Sequence, residues 1–349
     1  MQDKIKIIIF SIVFLLFALA MAELVFSVFS GNSAEENEEP SDEAEMTLST
    51  PIDAYAQIDN EIFAQTEEPN MFNSELDIEH VEIDYPLLSG YVHPDYTTIQ
   101  LDPADIHRGS LVLVNSDHAM MEPDTSDFVY IVEGRTTTNV RAQFEISQLS
   151  QSIMEPLGEM MDAFVASSGN TSIAIISGFR SYSVQRGLLD RRIAEFGYTE
   201  AHRIAARPGH SEHHTGIAFD LGILIGGNRT TFTGTGETAW FPQNAHRFGF
   251  IVRYPADKTH ITGVIHEPWH FRYVGIPHAH VMVQNNWVLE EYIDEIRNHT
   301  IDNPLTVDVD GVIHEIFFTN ESELTLPVDY SVDIQGNNVD GFIVTIVRA

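Results

Sequence analysis

Three histidines and an aspartate lie close together in one glycine-containing stretch, Pro208-Gly209-His210-Ser211-Glu212-His213-His214-Thr215-Gly216-Ile217-Ala218-Phe219-Asp220. His213 and Asp220 are candidates to bind one metal ion. On a continuous helix seven residues rise by about 10 Å, which is too far for two side chains to share an ion whose ligand bonds are about 2 Å long. The stretch is therefore predicted to fold back at Gly216 and to continue as an apolar strand that carries Asp220.

A second stretch places two histidines and a glutamate around a proline, His266-Glu267-Pro268-Trp269-His270-Phe271-Arg272-Tyr273. Its first five residues match the H-E-x-x-H pattern of helical zinc proteases. Pro268 disfavours a helix because it lacks a backbone donor and clashes with the preceding turn, whereas the neighbouring aromatic and β-branched residues favour a strand. A strand would separate His266 from His270 by roughly 13 Å, so only one of them can bind a shared metal.

A helical zinc protease is the alternative interpretation of this second stretch. Glu290 and Glu291 follow it on the C-terminal side, where some helical zinc proteases have their third ligand. The run from 280 to 296 otherwise has the apolar spacing of a closing helix with a packing role.

The third stretch is Ser177-Gly178-Phe179-Arg180-Ser181, which joins an apolar run at 173–176 to a segment of helical spacing at 184–196. Another segment of helical spacing precedes it at 153–164, and a buried strand is predicted at 111–114. This pattern is typical of a mixed α+β fold. A guanidinium at such a strand-to-helix junction can hold a substrate carboxylate through two parallel hydrogen bonds, so Arg180 is a candidate substrate-binding residue.

Together the three stretches resemble the zinc-dependent D-alanyl-D-alanine carboxypeptidase family of the VanY type. The family patterns are S-G-[YF]-R-S, S-x-H-x-x-G-x-A-x-D and E-x-W-H-x-R-Y, and all three occur here in that order. The resemblance implies an α+β fold, a small antiparallel sheet with flanking helices, which the family shares with lysostaphin-like peptidases and the hedgehog signalling domain.

Carried over by position, the resemblance assigns roles to individual residues. It implies that one zinc ion is bound by His213, Asp220 and His270, with a fourth position left for water as catalytic zinc sites require. Glu267 would be the general base, and Arg180 would stabilise the oxyanion or hold the terminal carboxylate of the substrate. The expected substrate-orienting residues are Ser211, Gln185 and Trp269. The remaining histidines of the motifs, His210, His214 and His266, are expected to lie near the site or at the surface.

The implied substrate is the D-Ala-D-Ala end of a peptidoglycan stem peptide. Related proteins act instead as L,D-carboxypeptidases or as endopeptidases, and the motifs do not separate these specificities. A catalytically silent wall-binding protein on the same fold is the alternative from another class. No protein partner is predicted.

Charge and composition exclude several other classes of function. The chain has 52 Asp and Glu against 18 Lys and Arg, for a net charge of −34, which disfavours binding to nucleic acid because phosphate recognition depends on a basic surface. Binding to anionic lipid headgroups is disfavoured for the same reason. The chain contains no cysteine, so a zinc ion would have to be held by histidine and carboxylate.

The N-terminal third predicts a location outside the cytoplasm. Lys4 and Lys6 precede an apolar run at 7–22 that ends in a small-x-small pattern, which is typical of an export signal or a membrane anchor. The predicted order is a signal peptide or anchor at 1–30, an acidic disordered linker at 31–85, a catalytic domain at 86–298 and a small β-rich C-terminal extension at 299–349. The expected location is the bacterial cell envelope.

Overall fold

The structure is a computed structural model that describes residues 95–120 and 123–348. The predicted signal or anchor at 1–30 and the predicted linker at 31–85 lie outside the described residues. Among the helices of the described part of the chain, none is long and apolar enough to cross a membrane.

The described residues combine antiparallel sheets with flanking helices, which confirms the predicted α+β fold. The strands are β1 (Tyr96–Gln100), β2 (Phe128–Tyr130), β3 (Gln148–Ser150), β4 (Ile173–Ser177), β5 (Ala218–Ile225), β6 (Asn228–Thr230), β7 (Phe250–Tyr254), β8 (Glu267–Tyr273), β9 (Leu305–Val309), β10 (Val312–Thr319), β11 (Glu323–Pro327), β12 (Ser331–Gly336) and β13 (Phe342–Arg348). The α-helices are α1 (Ile131–Gly134), α2 (Met154–Ser168), α3 (Tyr182–Phe196), α4 (Tyr198–Ile204), α5 (Trp240–Asn244), α6 (Thr259–Thr262), α7 (Ile276–Gln284) and α8 (Leu289–Ile296).

The central sheet has the strand order β4-β5-β8-β7, and β6 pairs with the C-terminal end of β5. All of its pairs are antiparallel. The two middle strands, β5 and β8, are buried along most of their length, because other elements cover both faces of the sheet. Functional side chains on these two strands are therefore held by a rigid part of the molecule.

The helices at 153–164 and 184–196 are confirmed as α2 and α3, although the buried side of α3 combines the expected Leu189 with two polar residues. Helix α2 buries its apolar residues and ends at Gly169, whose φ of 71° is the left-handed conformation that glycine favours at a helix end. In α3, by contrast, Val184 is exposed, while Gln185 and Arg192 are buried. The buried polar side chain at Gln185 is thus part of the region that supports Arg180.

The strand predicted at 111–114 is wrong. The segment is fully buried, but it is irregular and pairs with no strand. Its backbone groups are hydrogen bonded elsewhere: the Leu113 N–H donates to the carbonyl of Asn337 at 3.0 Å, and Arg272 donates to the carbonyl of Val112 at 2.8 Å. Side chains and loops thus satisfy the backbone groups of this segment without a neighbouring strand. A buried apolar segment is therefore not necessarily a strand.

The C-terminal segment forms a second sheet of strand order β12-β13-β10-β9, and β11 pairs with β1 from the opposite end of the described chain. Strands were expected in this segment, but β11 and its pairing with β1 were not. Val307, Ile316 and Ile343 of this sheet belong to the same apolar cluster as Met282 of α7 and Tyr292 of α8. The division of the chain between residues 298 and 299 stays a prediction.

Candidate active site

The three predicted metal ligands lie together at the centre of the main sheet. Asp220 on β5 is directly opposite His270 on β8, and His213 lies on the short 3-10 helix Glu212–Thr215 that precedes β5. One ligand atom from each residue lies within 4.8 Å of the other two, and all three side chains are buried. Sequence positions that are far apart are thus joined into one potential metal site.

The reversal predicted at Gly216 is what brings His213 back to Asp220. Gly216 has a φ of 72°, a left-handed conformation that other residues adopt only with strain. A Cβ atom at this position would lie 2.3 Å from the ring of Phe128. Glycine is therefore required at 216 for both its conformation and its lack of a side chain.

Hydrogen bonding orients His213 so that it presents a lone pair to Asp220. Its Nδ1 lies 2.7 Å from the carbonyl oxygen of Gly178, and because a carbonyl can only accept, Nδ1 carries the proton. The Nε2 lone pair then faces Asp220 Oδ2 at 3.4 Å. Asp220 Oδ1 is buried without a hydrogen-bond partner, although it lies 3.1 Å from His270 Nδ1. Acceptor atoms that converge in this way fit a bound cation.

The pKa values of the three predicted ligands depend on one another and on their burial. Burial opposes ionisation of Asp220, but His213 and His270 outweigh it and hold the pKa of this carboxyl well below its usual range. Burial likewise opposes protonation of His270, yet the adjacent carboxylates of Asp220 and Glu212 raise the pKa of that imidazole to about 9. Burial and the nearby Arg180 lower the pKa of His213.

Glu267 and Trp269 lie on β8 with His270, one of the three predicted ligands. The Oε2 atom of Glu267 is 3.7 Å from His270 Nδ1, and its side chain keeps 20% of its surface exposed, so a carboxylate stands at the open side of the ligand cluster. Trp269 is 7% exposed. The strand predicted around Pro268 is confirmed, because Glu267–Tyr273 is β8.

Arg180 lies at the junction of β4 and α3, and neighbouring polar groups fix its guanidinium. Its Nη1 donates to Gln185 Oε1 at 2.8 Å, and its Nη2 donates to Ser177 Oγ at 3.0 Å. Gln185 in turn donates to the carbonyl of Ala206 at 2.7 Å and is only 1% exposed. The amide of Gln185 is therefore engaged with the protein. Ser211 is buried just before the 3-10 helix that carries His213.

His214 connects the backbone of Arg180 to that of Gly209. It does not belong to the group of three potential ligands found among the described residues. Its Nδ1 donates to the Arg180 carbonyl at 2.5 Å, and its Nε2 accepts from the Gly209 N–H at 3.1 Å. Burial lowers its pKa to about 4, so the ring is neutral and uses both nitrogens. His210 contacts the carbonyl of Asn115, and His266 is half-buried. Within the described residues, neither belongs to the group of potential ligands.

A buried ionic network behind His270 was not predicted from the sequence. Glu212 contacts His270, Arg253 and Arg272, and Arg253 also forms a double hydrogen bond with Glu290. The available signal was a charged residue inside an apolar segment, Arg253 in β7, because a buried charge requires a partner.

The helical zinc protease interpretation is wrong for this chain. Glu267 and His270 lie on a strand, and the glutamates proposed as a third ligand are engaged elsewhere. Glu290 binds Arg253, and Glu291 binds Lys258 and the N–H of Val288.

Comparison with known proteins bears on the family of this chain. The family model for VanY, D-alanyl-D-alanine carboxypeptidase, matches residues 146–276. A D-alanyl-D-alanine carboxypeptidase of Enterococcus faecium is 33% identical over 246 residues, which cover 69% of this chain and 76% of that protein. The chain belongs to the VanY family. This membership confirms the resemblance seen in the three motifs.

Two further VanY-related proteins extend the comparison. The bifunctional D-Ala-D-Ala dipeptidase and D-Ala-D-Ala carboxypeptidase VanXYC of Enterococcus gallinarum is 40% identical over 126 residues, covering 35% of this chain and 66% of that protein. The crystal structure of the vancomycin-resistance D,D-dipeptidase VanXYg, in complex with a D-Ala-D-Ala phosphinate analogue, is similar with a TM-score of 0.66 and 32% identity. The match covers 73% of this chain and 100% of that one.

Proposed function

We propose that this member of the VanY family is a zinc-dependent carboxypeptidase that removes the terminal D-Ala from peptidoglycan stem peptides ending in D-Ala-D-Ala. The observation that carries the proposal is the cluster of His213, Asp220 and His270, whose ligand atoms lie within 4.8 Å of one another beside the carboxylate of Glu267. The activities of the matched relatives agree with this assignment.

The donor set of the cluster suits one zinc ion. Two imidazoles and one carboxylate are the ligand types of catalytic zinc sites, in which the fourth position is left for water. The chain has no cysteine, so it offers no thiolate that would favour a softer metal. Zinc bound by these residues would supply a Lewis acid that polarises a carbonyl oxygen and acidifies water.

Glu267 is the proposed general base. Its carboxylate lies next to the ligand cluster and is accessible, so it can take a proton from the attacking water and later deliver it to the leaving amine. A binding protein on this fold would not require an accessible carboxylate at this place. The presence of Glu267 beside the three ligands therefore favours an enzyme.

Arg180 is the proposed partner of the substrate's terminal carboxylate or of the oxyanion. Hydrogen bonds to Gln185 and Ser177 hold two nitrogens of the guanidinium and leave its remaining donors for a ligand. Because Gln185 is almost fully buried, we assign it to positioning Arg180. Ser211 and Trp269 remain proposed contacts of the peptide.

The proposed substrate places the protein outside the cytoplasm, in the bacterial cell envelope. Peptidoglycan stem peptides are the partner, and the predicted export signal or anchor at 1–30 agrees with this location.

The proposal is tested by incubating the full-length protein with a stem pentapeptide ending in D-Ala-D-Ala and measuring free D-alanine. The same peptide ending in L-Ala-L-Ala is the matched control. We expect release of D-alanine from the first peptide and no release of L-alanine from the control, and one zinc per chain by elemental analysis of the active protein. A zinc-loaded protein that releases no D-alanine would contradict the assigned activity.

A further inference from the structure

Glu212 precedes the metal ligand His213 in the chain but contacts a different one, His270. Its side chain is fully buried, and its Oε2 lies 3.2 Å from His270 Nε2. Glu212 is not one of the three residues that converge on the potential metal position. It therefore acts on the site through the imidazole of His270.

Two arginines occupy the other oxygen of Glu212. Arg253 Nε donates to Oε1 at 2.8 Å, and Arg272 Nη1 donates to the same oxygen at 2.7 Å. Two guanidinium donors on one buried oxygen favour the carboxylate form of Glu212, because a buried charge requires a partner of opposite sign. An ionised carboxylate has only acceptor atoms to offer, so the Oε2 that faces His270 can only accept.

This constraint selects the metal-binding tautomer of His270. Both ring nitrogens face carboxylates, so an imidazole that keeps its Nδ1 lone pair for a metal has its proton on Nε2, where Glu212 can only accept it. Nδ1 is the nitrogen that faces Asp220 at 3.1 Å and Glu267 at 3.7 Å. The ring is thus turned and protonated in the only way that presents a lone pair to the same position as His213 and Asp220.

The two arginines that contact Glu212 have further partners of their own. Arg253 forms a double hydrogen bond with Glu290 of α8 at 2.7 and 2.8 Å, and Arg272 donates to the carbonyls of Ser110 and Val112. These partners fix both guanidinium groups. A buried cluster of charges is stable only when every member is paired in this way.

We propose that Glu212 is a positioning residue that fixes the tautomer and ring orientation of His270 for metal binding, and that Arg253 and Arg272 hold its carboxylate in place for this purpose. The inference rests on the proposed zinc centre. Carboxylates that orient metal-binding histidines in this way change metal affinity strongly when they are replaced.

The substitution Glu212→Gln discriminates between positioning and mere packing. The amide oxygen of glutamine would turn toward the two arginines, because an amide NH2 cannot face two guanidinium donors. The NH2 group would then face His270 Nε2 and require an acceptor there. The His270 proton would move to Nδ1, where it blocks the metal, so a change that leaves the side chain nearly the same size should weaken zinc binding.

The experiment measures zinc affinity of the full-length protein by competition with a chromophoric chelator. We expect Glu212→Gln to bind zinc roughly 10- to 100-fold more weakly than wild type. Glu291→Gln is the matched control, since Glu291 contacts Lys258 and Val288 instead, and it should leave the affinity unchanged. An unchanged affinity in Glu212→Gln would overturn the positioning role.

A second measurement needs no variant and remains decisive if Glu212→Gln does not fold. In the zinc-loaded wild-type protein, nitrogen-detected NMR of the imidazoles should show His270 with its proton on Nε2. A proton on Nδ1 would overturn the inference while leaving the zinc centre intact. A wild-type protein that binds no zinc would overturn both the inference and the proposed function.

Discussion

Asp220 and His270 face each other across neighbouring antiparallel strands, with Oδ1 of Asp220 3.1 Å from Nδ1 of His270. The adjacent pair on the same two strands is Phe219 and Phe271, and both rings are fully buried. Successive side chains of a strand point to opposite faces, so these rings lie on the other face of the sheet. Because a slip of one residue would exchange the two faces, the apolar core enforces the register that assembles the candidate metal site.

Replacing the proposed general base should separate metal binding from turnover. Glu267→Gln removes a proton acceptor but leaves His213, Asp220 and His270 in place. We expect zinc content to stay at the wild-type level and turnover to fall by about 10²- to 10⁴-fold. The measurements are elemental analysis and D-alanine release. Glu200→Gln, at an exposed ion pair on α4, should retain full activity, and wild-type turnover in Glu267→Gln would remove Glu267 from the mechanism.

Removing one ligand should abolish both zinc binding and the stability that zinc provides. At free zinc about 100 times the dissociation constant, binding should stabilise the wild-type protein by about 2.7 kcal/mol, because the unfolded chain has no assembled site. We expect added zinc to raise the melting temperature of wild type by several degrees and to leave that of His213→Ala unchanged. An equal rise in the variant would contradict the ligand assignment.

The guanidinium of Arg180 should contribute to substrate recognition through its geometry as well as its charge. Arg180→Lys keeps the charge but loses the planar group held by Gln185 and Ser177. We expect kcat/KM for the stem pentapeptide to fall about ten- to a hundredfold, in line with the loss of a charged hydrogen bond. Arg203→Lys, on the exposed surface of α4, is the control.

A C-terminal amide of the same peptide tests which group Arg180 recognises. If Arg180 holds the terminal carboxylate, wild type should process the amide poorly, and Arg180→Lys should cause little further loss. If Arg180→Lys lowers kcat/KM for the amide as much as for the free acid, Arg180 acts on the oxyanion instead.

A buried histidine away from the site should make folding stability depend on pH. The Nδ1 atom of His278 on α7 shares a hydrogen bond of 2.5 Å with the hydroxyl of Tyr292. Burial, aided by His314, lowers the pKa of His278 from 6.5 to about 3. Between these values the unfolded state binds more protons than the folded state, so stability falls as the pH falls. This group alone should remove about 2 kcal/mol between neutral pH and pH 5.

Urea unfolding at several pH values measures this contribution. His278→Gln cannot titrate, and we expect its free energy of unfolding to change less steeply between pH 7 and pH 5 than that of wild type. His202→Gln, at an exposed position on α4, should keep the wild-type slope. Equal slopes in wild type and His278→Gln would show that the pKa of His278 is the same in the folded and unfolded states.

The local parts of this site could be predicted from sequence because their physical causes are local. Pro268 excludes a helix around His270, and the separation of His213 from Asp220 requires the turn at Gly216. The partners of Glu212 could not be predicted in this way. Arg253 and Arg272 lie on β7 and β8, and they reach Glu212 only once the sheet has formed.

The same distinction explains the errors in the fold. The segment at 111–114 is apolar because it is buried, but which groups satisfy its backbone depends on Asn337 and Arg272, which are distant in sequence. The pairing of β1 with β11 joins the two ends of the described chain. Periodicity reports the burial of each segment and carries no information about such partners.

The central claim is tested most directly by mass-spectrometric analysis of the products that the full-length protein forms from a stem pentapeptide and a stem tetrapeptide. The account predicts loss of one alanine from the pentapeptide, abolished by a chelator and restored by zinc. Cleavage of the tetrapeptide alone would contradict the D-Ala-D-Ala assignment and place the protein with the L,D-carboxypeptidases, whereas cleavage that persists in the chelator would contradict the zinc centre.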